Sequence, residues 1–392
     1  MRTQVGIVGA GPAGLMLARL LSLQRIESVV LETRSRAYVE HRVRAGVLEQ
    51  GSVDLLDAAG AGARMRSEGL VHRGIQLRFG DADHRIDFSE LTGGRSITVY
   101  GQQEVVKDLI ALRLTSGQPI MFEVSDVELH GIDSDRPSIT YLLDGRRETL
   151  ECDVIAGCDG FHGVSRDSIP ESVLTAYERE YPFAWLGILA TVAPSSEELI
   201  YCYHEQGFAL LSMRSPTVSR LYLQVGAHER IEDWNDSRIW EELQTRFALP
   251  GWSLREGPVT EKAISALRSF VVEPMQFGRL YLCGDAAHIV PPTGAKGMNL
   301  ALRDVSVLSV ALTAFYRDGS TALLDAYSAR CLRRVWRAQH FSWWMTSMLH
   351  QFPDTDAYQA QLQLAQLDYT VNSRAASTSL AENYVGYEWT ES

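Results

Sequence analysis

Gln4-Val5-Gly6-Ile7-Val8-Gly9-Ala10-Gly11-Pro12-Ala13-Gly14 decides the fold: an apolar run leads straight into a Gly-x-Gly-x-x-Gly turn. Leu15 to Leu23 continue in a helical pattern, Val29-Val30-Leu31 form a second apolar run, and Glu32 ends it, 18 positions after Gly14. Strand, glycine turn, helix, strand and acid in that order predict a dinucleotide-binding βαβ unit. Gly9, Gly11 and Gly14 permit the tight turn and a close approach of backbone to a pyrophosphate. The helix N-terminus offers free N–H groups to the anion, and Glu32 can accept from a ribose hydroxyl. This pattern alone does not separate FAD from NAD.

Two further stretches share that logic. In Val154-Ile155-Ala156-Gly157-Cys158-Asp159-Gly160 a buried strand stops at Asp-Gly, and Ser165-Arg166 follow. An isolated Asp-Gly is a common turn, so Asp159 informs only beside the other motifs. Leu280 to Asn299 run from a short strand into Gly284-Asp285, then through a loop rich in proline and glycine, and into a helix from Met298. Asp285 can hold a polar sugar chain. The loop glycines and the helix start can approach a ligand closely.

Between these landmarks the chain changes character. Thr33 to Gln50 carry Arg34, Arg36, His41, Arg42 and Arg44. Arg42 and Arg44 precede a helix-like run from Gly46 to Ala59 and are read as phosphate contacts, while Arg36 is read as a solvated residue. Val71 to Thr98 alternate polar and apolar residues between glycine turns, which predicts inserted antiparallel strands. A helix is expected from Tyr100-Gly101-Gln102-Gln103 to Leu114. Residues 181–270 read as a second sheet, with Tyr201, Ser212, Arg214, Arg220 and Tyr222 as polar side chains that can hold an aromatic carboxylate. From Asp304 to Asp368 the pattern is largely helical, and Phe341 to Met345 with Met348-Leu349 are too apolar for free surface.

The totals fit this reading. The chain has 392 residues, 45% hydrophobic and 22% charged, enough for two domains or one large interleaved one. Its 37 Lys and Arg against 49 Asp and Glu give −12, which argues against nucleic acid or an anionic membrane as partner. No uninterrupted apolar run reaches the ~18 residues of a membrane span, and Met1 to Gln4 lack a signal-peptide layout. Five cysteines without CxxC spacing read as reduced thiols in a cytoplasmic protein, with no metal site.

Taken together, the Gly9–Gly14 turn with Glu32, Asp159-Gly160 and Gly284-Asp285 resemble the FAD fingerprints of the single-component flavoprotein aromatic hydroxylases. Arg44 to Gly51, Ile155 to Gly163, Leu267 to Gln276, Gly284 to Gly297, Phe341 to Ser347, Phe352 to Asp356 and Ala381 to Gly386 extend the resemblance over essentially the whole chain. It implies an α/β fold with α+β insertions. A Rossmann-like FAD-binding βαβ domain (1–175, inserted strands at about 73–98) interleaves with a mixed or antiparallel substrate sheet (176–275). Residues 276–392 then complete the FAD site and supply a helical interface region.

The implied reaction is hydroxylation of 4-hydroxybenzoate at C3 with NADPH or NADH and O2 through a flavin C4a-hydroperoxide, in aromatic degradation by a cytoplasmic homodimer. FAD would contact Gly9, Gly11, Gly14, Glu32, Arg42, Arg44, Gln102, Asp159, Arg220, Asp285, Gly297, Met298 and Asn299. Ser212, Arg214 and Tyr222 would hold the substrate carboxylate, and Thr293 would line the site. Tyr201, Tyr384 and His72 would relay the phenol proton to water near pH 7, with the Pro292 carbonyl touching the phenol. Arg34, Tyr38, Arg42, His162 and Arg268 would meet NAD(P)H. Thr33-Arg34 after Glu32 depart from the Arg-Gln associated with NADPH-only members, so either coenzyme remains open. The alternatives are a relative acting on another hydroxy- or aminobenzoate, a flavin-free binding protein, and a plain NAD dehydrogenase. The last is disfavoured by Asp159-Gly160 and Gly284-Asp285.

Overall fold

The computed structural model describes residues 1–42, 44 and 46–387. Val5–Val8 and Ser28–Leu31 run parallel at the centre of a six-stranded sheet, with Val154–Gly157 on the other side of Val5–Val8. Leu280–Leu282 extends it in parallel beyond Val154–Gly157. Every residue of the three central strands is buried, which is why they read as unbroken apolar runs. Pro12 starts the helix Pro12–Leu23, where a missing N–H costs nothing. Gly9 sits at φ +103, and a Cβ on Gly14 would collide with the Gly9 carbonyl oxygen. Both positions therefore need glycine.

The second layer is an eight-stranded sheet, in the order His288–Ile289, Val259–Glu273, Thr175–Ala190, Val218–Gly226, Ala209–Ser215, Ile200–Cys202, Gly74–Phe79 and Ala82–Asp87. The inserted strands at 74–87 thus join the sheet formed by residues 175–273. Thr175–Ala190 and Val259–Glu273, of 16 and 15 residues, are longer than their sequence patterns indicate. Two three-stranded sheets complete the β structure, one of them joining Val47–Glu49, Ile97–Val99 and Leu70–His72. The run from Gly46 to Ala59 therefore divides: Val47–Glu49 is strand and Gln50–Ala58 is helix. Pairing with Ile97–Val99 outweighs local helical preference there. Ala45, inside one of the resembling stretches, lies outside the described residues.

The helices Gly297–Asp318, Tyr327–Leu349, Ala357–Asn372 and Arg374–Val385 dominate the C-terminal third. Gly297–Asp318 is long and apolar enough to cross a membrane, at 22 residues and mean hydropathy 1.3, although Arg303 and Asp304 interrupt it; 61% of its apolar window is buried. It packs against Pro12–Leu23 as a core helix. Phe341, Met345, Met348 and Leu349 are buried as expected, while Trp343 remains 40% exposed.

Candidate active site

The cofactor-side residues converge where the parallel strands end. The Glu32 carboxylate closes the first turn, accepting from Ala10 N and Arg34 N, each at 2.7 Å. The Asp159 Oδ2 atom accepts from Ser165 N and Oγ at 2.9 Å, leaving Oδ1 buried without a partner. Burial pushes this carboxyl up from its ordinary value, against the pull of those hydrogen bonds. Asp285 is solvent-exposed yet deeply set. Desolvation raises its carboxyl, while His288, Arg44 and Arg42 pull it down. It thus occupies the floor of a cleft with cations nearby.

Behind Asp285, the Asp304 carboxylate accepts from Gly284 N at 2.9 Å and pairs with buried His288 at 2.7 Å, fixing the turn. Gly11, Gly160 and Gly297 border open space, where a Cβ would meet no protein atom. The orphaned Asp159 oxygen, the open glycine backbone and the start of the Gly297–Asp318 helix form a cradle that fits FAD. Gln102 begins the helix Gln102–Thr115, and Arg42 and Arg44 precede the strand Val47–Glu49. Asn299 also ties the loop in place through its side chain. Its Oδ1 accepts from Glu49 N, and its Nδ2 donates to the Val47 and Ala295 carbonyls at 2.8–2.9 Å. With both Nδ2 hydrogens used in tying the loop to the strand and to its own turn, the Asn299 backbone is the part left to face a cofactor.

The substrate-side residues share one face of the large sheet. Tyr201 pairs with Leu210, which pairs with Tyr222, and Ser212 pairs with Arg220. Gly187 lies opposite Tyr222 and leaves room for its ring. Arg214 sits at a register shift between Met213 and Ser215, a bulge that re-aims its side chain. Its Nη2 donates to the Arg44 carbonyl and to Gln103 Oε1, both at 2.8 Å, while its Nε–H is buried and unpartnered. Arg220 donates from Nε to the Tyr222 hydroxyl and keeps a buried, unpartnered Nη1. Two cations with spare donors in one partly buried pocket call for an anion.

The Tyr201 and Tyr384 hydroxyls are hydrogen-bonded to each other, 183 residues apart in sequence, and Tyr201 also donates to the Thr293 carbonyl at 3.3 Å. Burial drives both phenols well above their usual range, so the pair stays neutral. The Thr293 hydroxyl pairs with Thr346 at 2.8 Å, and Pro292 begins the same tight turn, Pro292–Gly294. His72 departs from its expected role near pH 7. It is only 2% exposed, both ring nitrogens lack a partner, and burial lowers it to about 4 against a weak upward pull from Glu198. It is therefore a neutral imidazole with no direct bond to Tyr384 among the described contacts.

Three residues of this site were not predicted. Lys296 is buried beneath the tyrosines, donating to Glu49 Oε1 at 2.7 Å, to the Tyr384 carbonyl at 3.0 Å and to the Asn383 carbonyl. Glu49 also meets Arg334 at 2.6 Å, and these two cations outweigh burial and hold it below its usual value. Burial lowers Lys296 in turn, but three acceptors for its three hydrogens keep it an ammonium. A lysine inside the otherwise small and apolar Gly294-Ala295-Lys296-Gly297 was the available signal. The third residue, His350, accepts from Trp185 Nε1 at 2.7 Å and stacks on Phe183, Trp185 and Phe208, with Tyr222 packed against Trp185. No local pattern marks it.

The residues expected at NAD(P)H fall into two groups. Arg34 lies over the Tyr38 ring at 5.2 Å. Arg268, paired with Glu180 at 3.0 Å, lies over Phe161, against which His162 packs edge-on. An open cleft of about 720 Å³, lined by Val71, Arg73, Arg85 and Glu198 among others, contains none of the predicted residues. Strand alternation turns the His72 ring away from it.

A family model described as FAD binding domain matches residues 2–342. The chain is 50% identical over 387 residues to p-hydroxybenzoate hydroxylase of Acinetobacter baylyi, covering 98% of this chain and 96% of that protein. It is 29% identical to rifampicin monooxygenase of Streptomyces venezuelae over 82% of this chain and 67% of that protein. Among solved structures, p-nitrophenol 4-monooxygenase of Pseudomonas putida superposes with a TM-score of 0.84, covering 99% of both chains. At 20% identity that likeness concerns the fold alone.

Proposed function

The chain belongs to the FAD-dependent aromatic hydroxylase family that includes p-hydroxybenzoate hydroxylase, and from that premise we propose that it converts 4-hydroxybenzoate to 3,4-dihydroxybenzoate with NAD(P)H and O2. The observation that carries the substrate reading is the shared sheet face: a buried Tyr201–Tyr384 hydroxyl pair at one end and Arg214 with Ser212 and Tyr222 at the other. A para-hydroxybenzoate carries a hydroxyl and a carboxylate at opposite ends of a flat ring, and this sheet face offers a partner for each.

FAD, when bound, supplies electron transfer from NAD(P)H and the activated oxygen. Arg214 and Ser212 anchor the carboxylate and so fix which ring carbon is presented. A phenol has an ordinary pKa near 10, yet the ring is reactive as the phenolate. Tyr201 takes the phenolic proton while passing its own to Tyr384, which in turn releases its own toward water, so neither buried phenol must ionise. Lys296, below Tyr384, adds positive potential that favours the phenolate. His72, being neutral, can pass a proton onward only through an intervening water, gaining it on one nitrogen and losing it from the other. Thr293 and Gly294, buried within the Pro292–Gly294 turn, and the aromatic residues around them exclude bulk water.

Arg36 is tied to Glu40 at 2.7 Å, which leaves Arg34 as the nearest cation after Glu32 for a coenzyme phosphate. Acceptance of both NADH and NADPH is the expected behaviour. The exposed residues Tyr358, Leu362 and Tyr369 lie along one face of Ala357–Asn372, and that stripe supports a homodimer. Five buried free cysteines support a cytoplasmic location.

The test is to follow NADH and NADPH oxidation separately, with and without 4-hydroxybenzoate, while identifying the product. Tyr201→Phe should still bind substrate and accept electrons but return hydrogen peroxide instead of 3,4-dihydroxybenzoate. A product yield per coenzyme near that of the parent would remove the relay from the mechanism.

A further inference from the structure

Arg214 has a feature that the substrate reading does not use. Its Nη2 nitrogen is already occupied by two acceptors, the Gln103 side-chain oxygen and the Arg44 carbonyl, each at 2.8 Å. A guanidinium binds a carboxylate through two parallel hydrogen bonds, side-on through Nε and Nη2 or end-on through Nη1 and Nη2. Both modes require Nη2. A bidentate carboxylate must therefore displace one of the acceptors in place. The Arg44 oxygen is a main-chain atom and cannot leave without moving backbone. Gln103, by contrast, is a partly buried side chain on the first turn of Gln102–Thr115, folded back over Gly101, whose added Cβ would lie 2.9 Å from both its amide atoms. It can rotate away without moving backbone.

We infer that Gln103 is a displaceable placeholder for the substrate carboxylate: its amide oxygen occupies the nitrogen of Arg214 that a carboxylate needs and yields it on binding. Two observations fit this role. The Arg214 Nε–H beside that nitrogen is buried and unpartnered, a donor lacking the second half of its acceptor. The placeholder is a neutral amide, which a carboxylate outcompetes because hydrogen bonds to an ionised acceptor are roughly twice as strong. A neutral group at the same end of a ligand gains far less from the exchange. Gln103 is therefore a positioning residue that sharpens selection for a carboxylate over its uncharged isosteres.

The inference rests on Arg214 as the carboxylate anchor, and its test separates the two ideas. FAD-loaded protein is titrated with 4-hydroxybenzoate and with 4-hydroxybenzaldehyde, which keeps the phenol and lacks the carboxylate, and binding is read from flavin absorbance. Gln103→Glu replaces the amide by a charged competitor and should weaken acid binding by about tenfold or more while leaving the aldehyde within about twofold. Gln103→Leu removes the competitor and should tighten acid binding by about two- to fivefold, again with the aldehyde little changed. Parallel shifts for both ligands, or selective loosening of the acid by Gln103→Leu, would overturn the placeholder. Arg214→Ala is the control. If it abolishes the preference for acid over aldehyde while the Gln103 variants leave that preference intact, only the placeholder fails. If it leaves the preference intact, the anchor fails as well.

Discussion

The cofactor half and the substrate half of this molecule are built from different materials. Around the ends of the parallel strands the work is done by backbone: Gly9 at positive φ, Gly14 against the Gly9 carbonyl, and open glycine edges at Gly11, Gly160 and Gly297. Only a few carboxylates assist, as Glu32 does by accepting from Ala10 and Arg34. On the large sheet the work is done by side chains that meet over long sequence distances: Tyr201 with Tyr384, Lys296 with Glu49, and Arg214 with Arg44. A ligand presenting a pyrophosphate and a sugar chain is met by repeated N–H groups. A small aromatic acid must be met by one charge and one hydroxyl placed at the right separation. The first half should therefore be fragile to added volume, and the second to lost charge.

The largest expected effect lies in the substrate half. Arg214→Ala removes the partner of a carboxylate in a partly buried site and should weaken 4-hydroxybenzoate binding by about 2–5 kcal/mol, read as Kd by flavin absorbance. An unchanged Kd would place the carboxylate elsewhere and remove the contrast.

In the cofactor half the matching change adds a methyl group. Gly14→Ala drives a Cβ into the Gly9 carbonyl, between elements that cannot separate without opening the sheet. A loss of about 3 kcal/mol in stability is expected, together with weaker retention of FAD, measured by melting temperature and by the flavin content of purified protein. Normal flavin content would show that the turn can relax, and the half would then be less dependent on backbone than its geometry implies.

A third change probes what carries the substrate half from behind. His350 is buried among Phe183, Trp185 and Phe208 and lowered to about 3 by desolvation. Because its folded pKa lies below the ordinary histidine value near 6.5, the unfolded chain takes up the proton first as pH falls. Stability is therefore lost between about pH 6.5 and 3. Between about pH 6.5 and 5 alone, a loss of about 2 kcal/mol is expected. His350→Gln, which keeps an acceptor for the Trp185 N–H, should flatten that part of the unfolding profile relative to the parent. An identical slope in the variant would assign the loss to other groups.

The same division explains what could be read from sequence. Gly9 to Glu32 is contiguous and its function is a property of local conformation, so strand, turn, helix and acid were all legible in order. Asp159-Gly160 and Gly284-Asp285 were legible as companions to it. Arg214, Ser212 and Tyr222 were legible as polar residues on strands, but that they share one face depends on register, and the bulge at Arg214 leaves no mark in the residues themselves. Lys296 and Glu49 are 247 positions apart, and neither predicts the other. His72 could be read as a titrating residue, but its near-complete burial is set by the sheet around it. The strand at Val47–Glu49 was hidden because three residues carry too little pattern to oppose a helical run, and its partner lies 50 residues on at Ile97–Val99.

The smallest expected effect returns to an arginine. Arg36→Ala breaks the ion pair with Glu40, one helical turn away and more than half exposed on the arginine side. Water screens both charges, and ordering two long side chains offsets most of the attraction, so about 0.3–0.5 kcal/mol of stability is expected, vanishing in ~1 M salt where the screening length is near 3 Å. Arg36 and Arg214 are the same residue, truncated the same way. Arg214 faces a site with spare donors and little water, whereas Arg36 faces solvent, and the distance between the two effects measures what burial adds. A salt-insensitive loss above 1 kcal/mol at Arg36 would mean that this short helix is load-carrying through its charge, and the cofactor half would then share the substrate half's dependence on side-chain electrostatics.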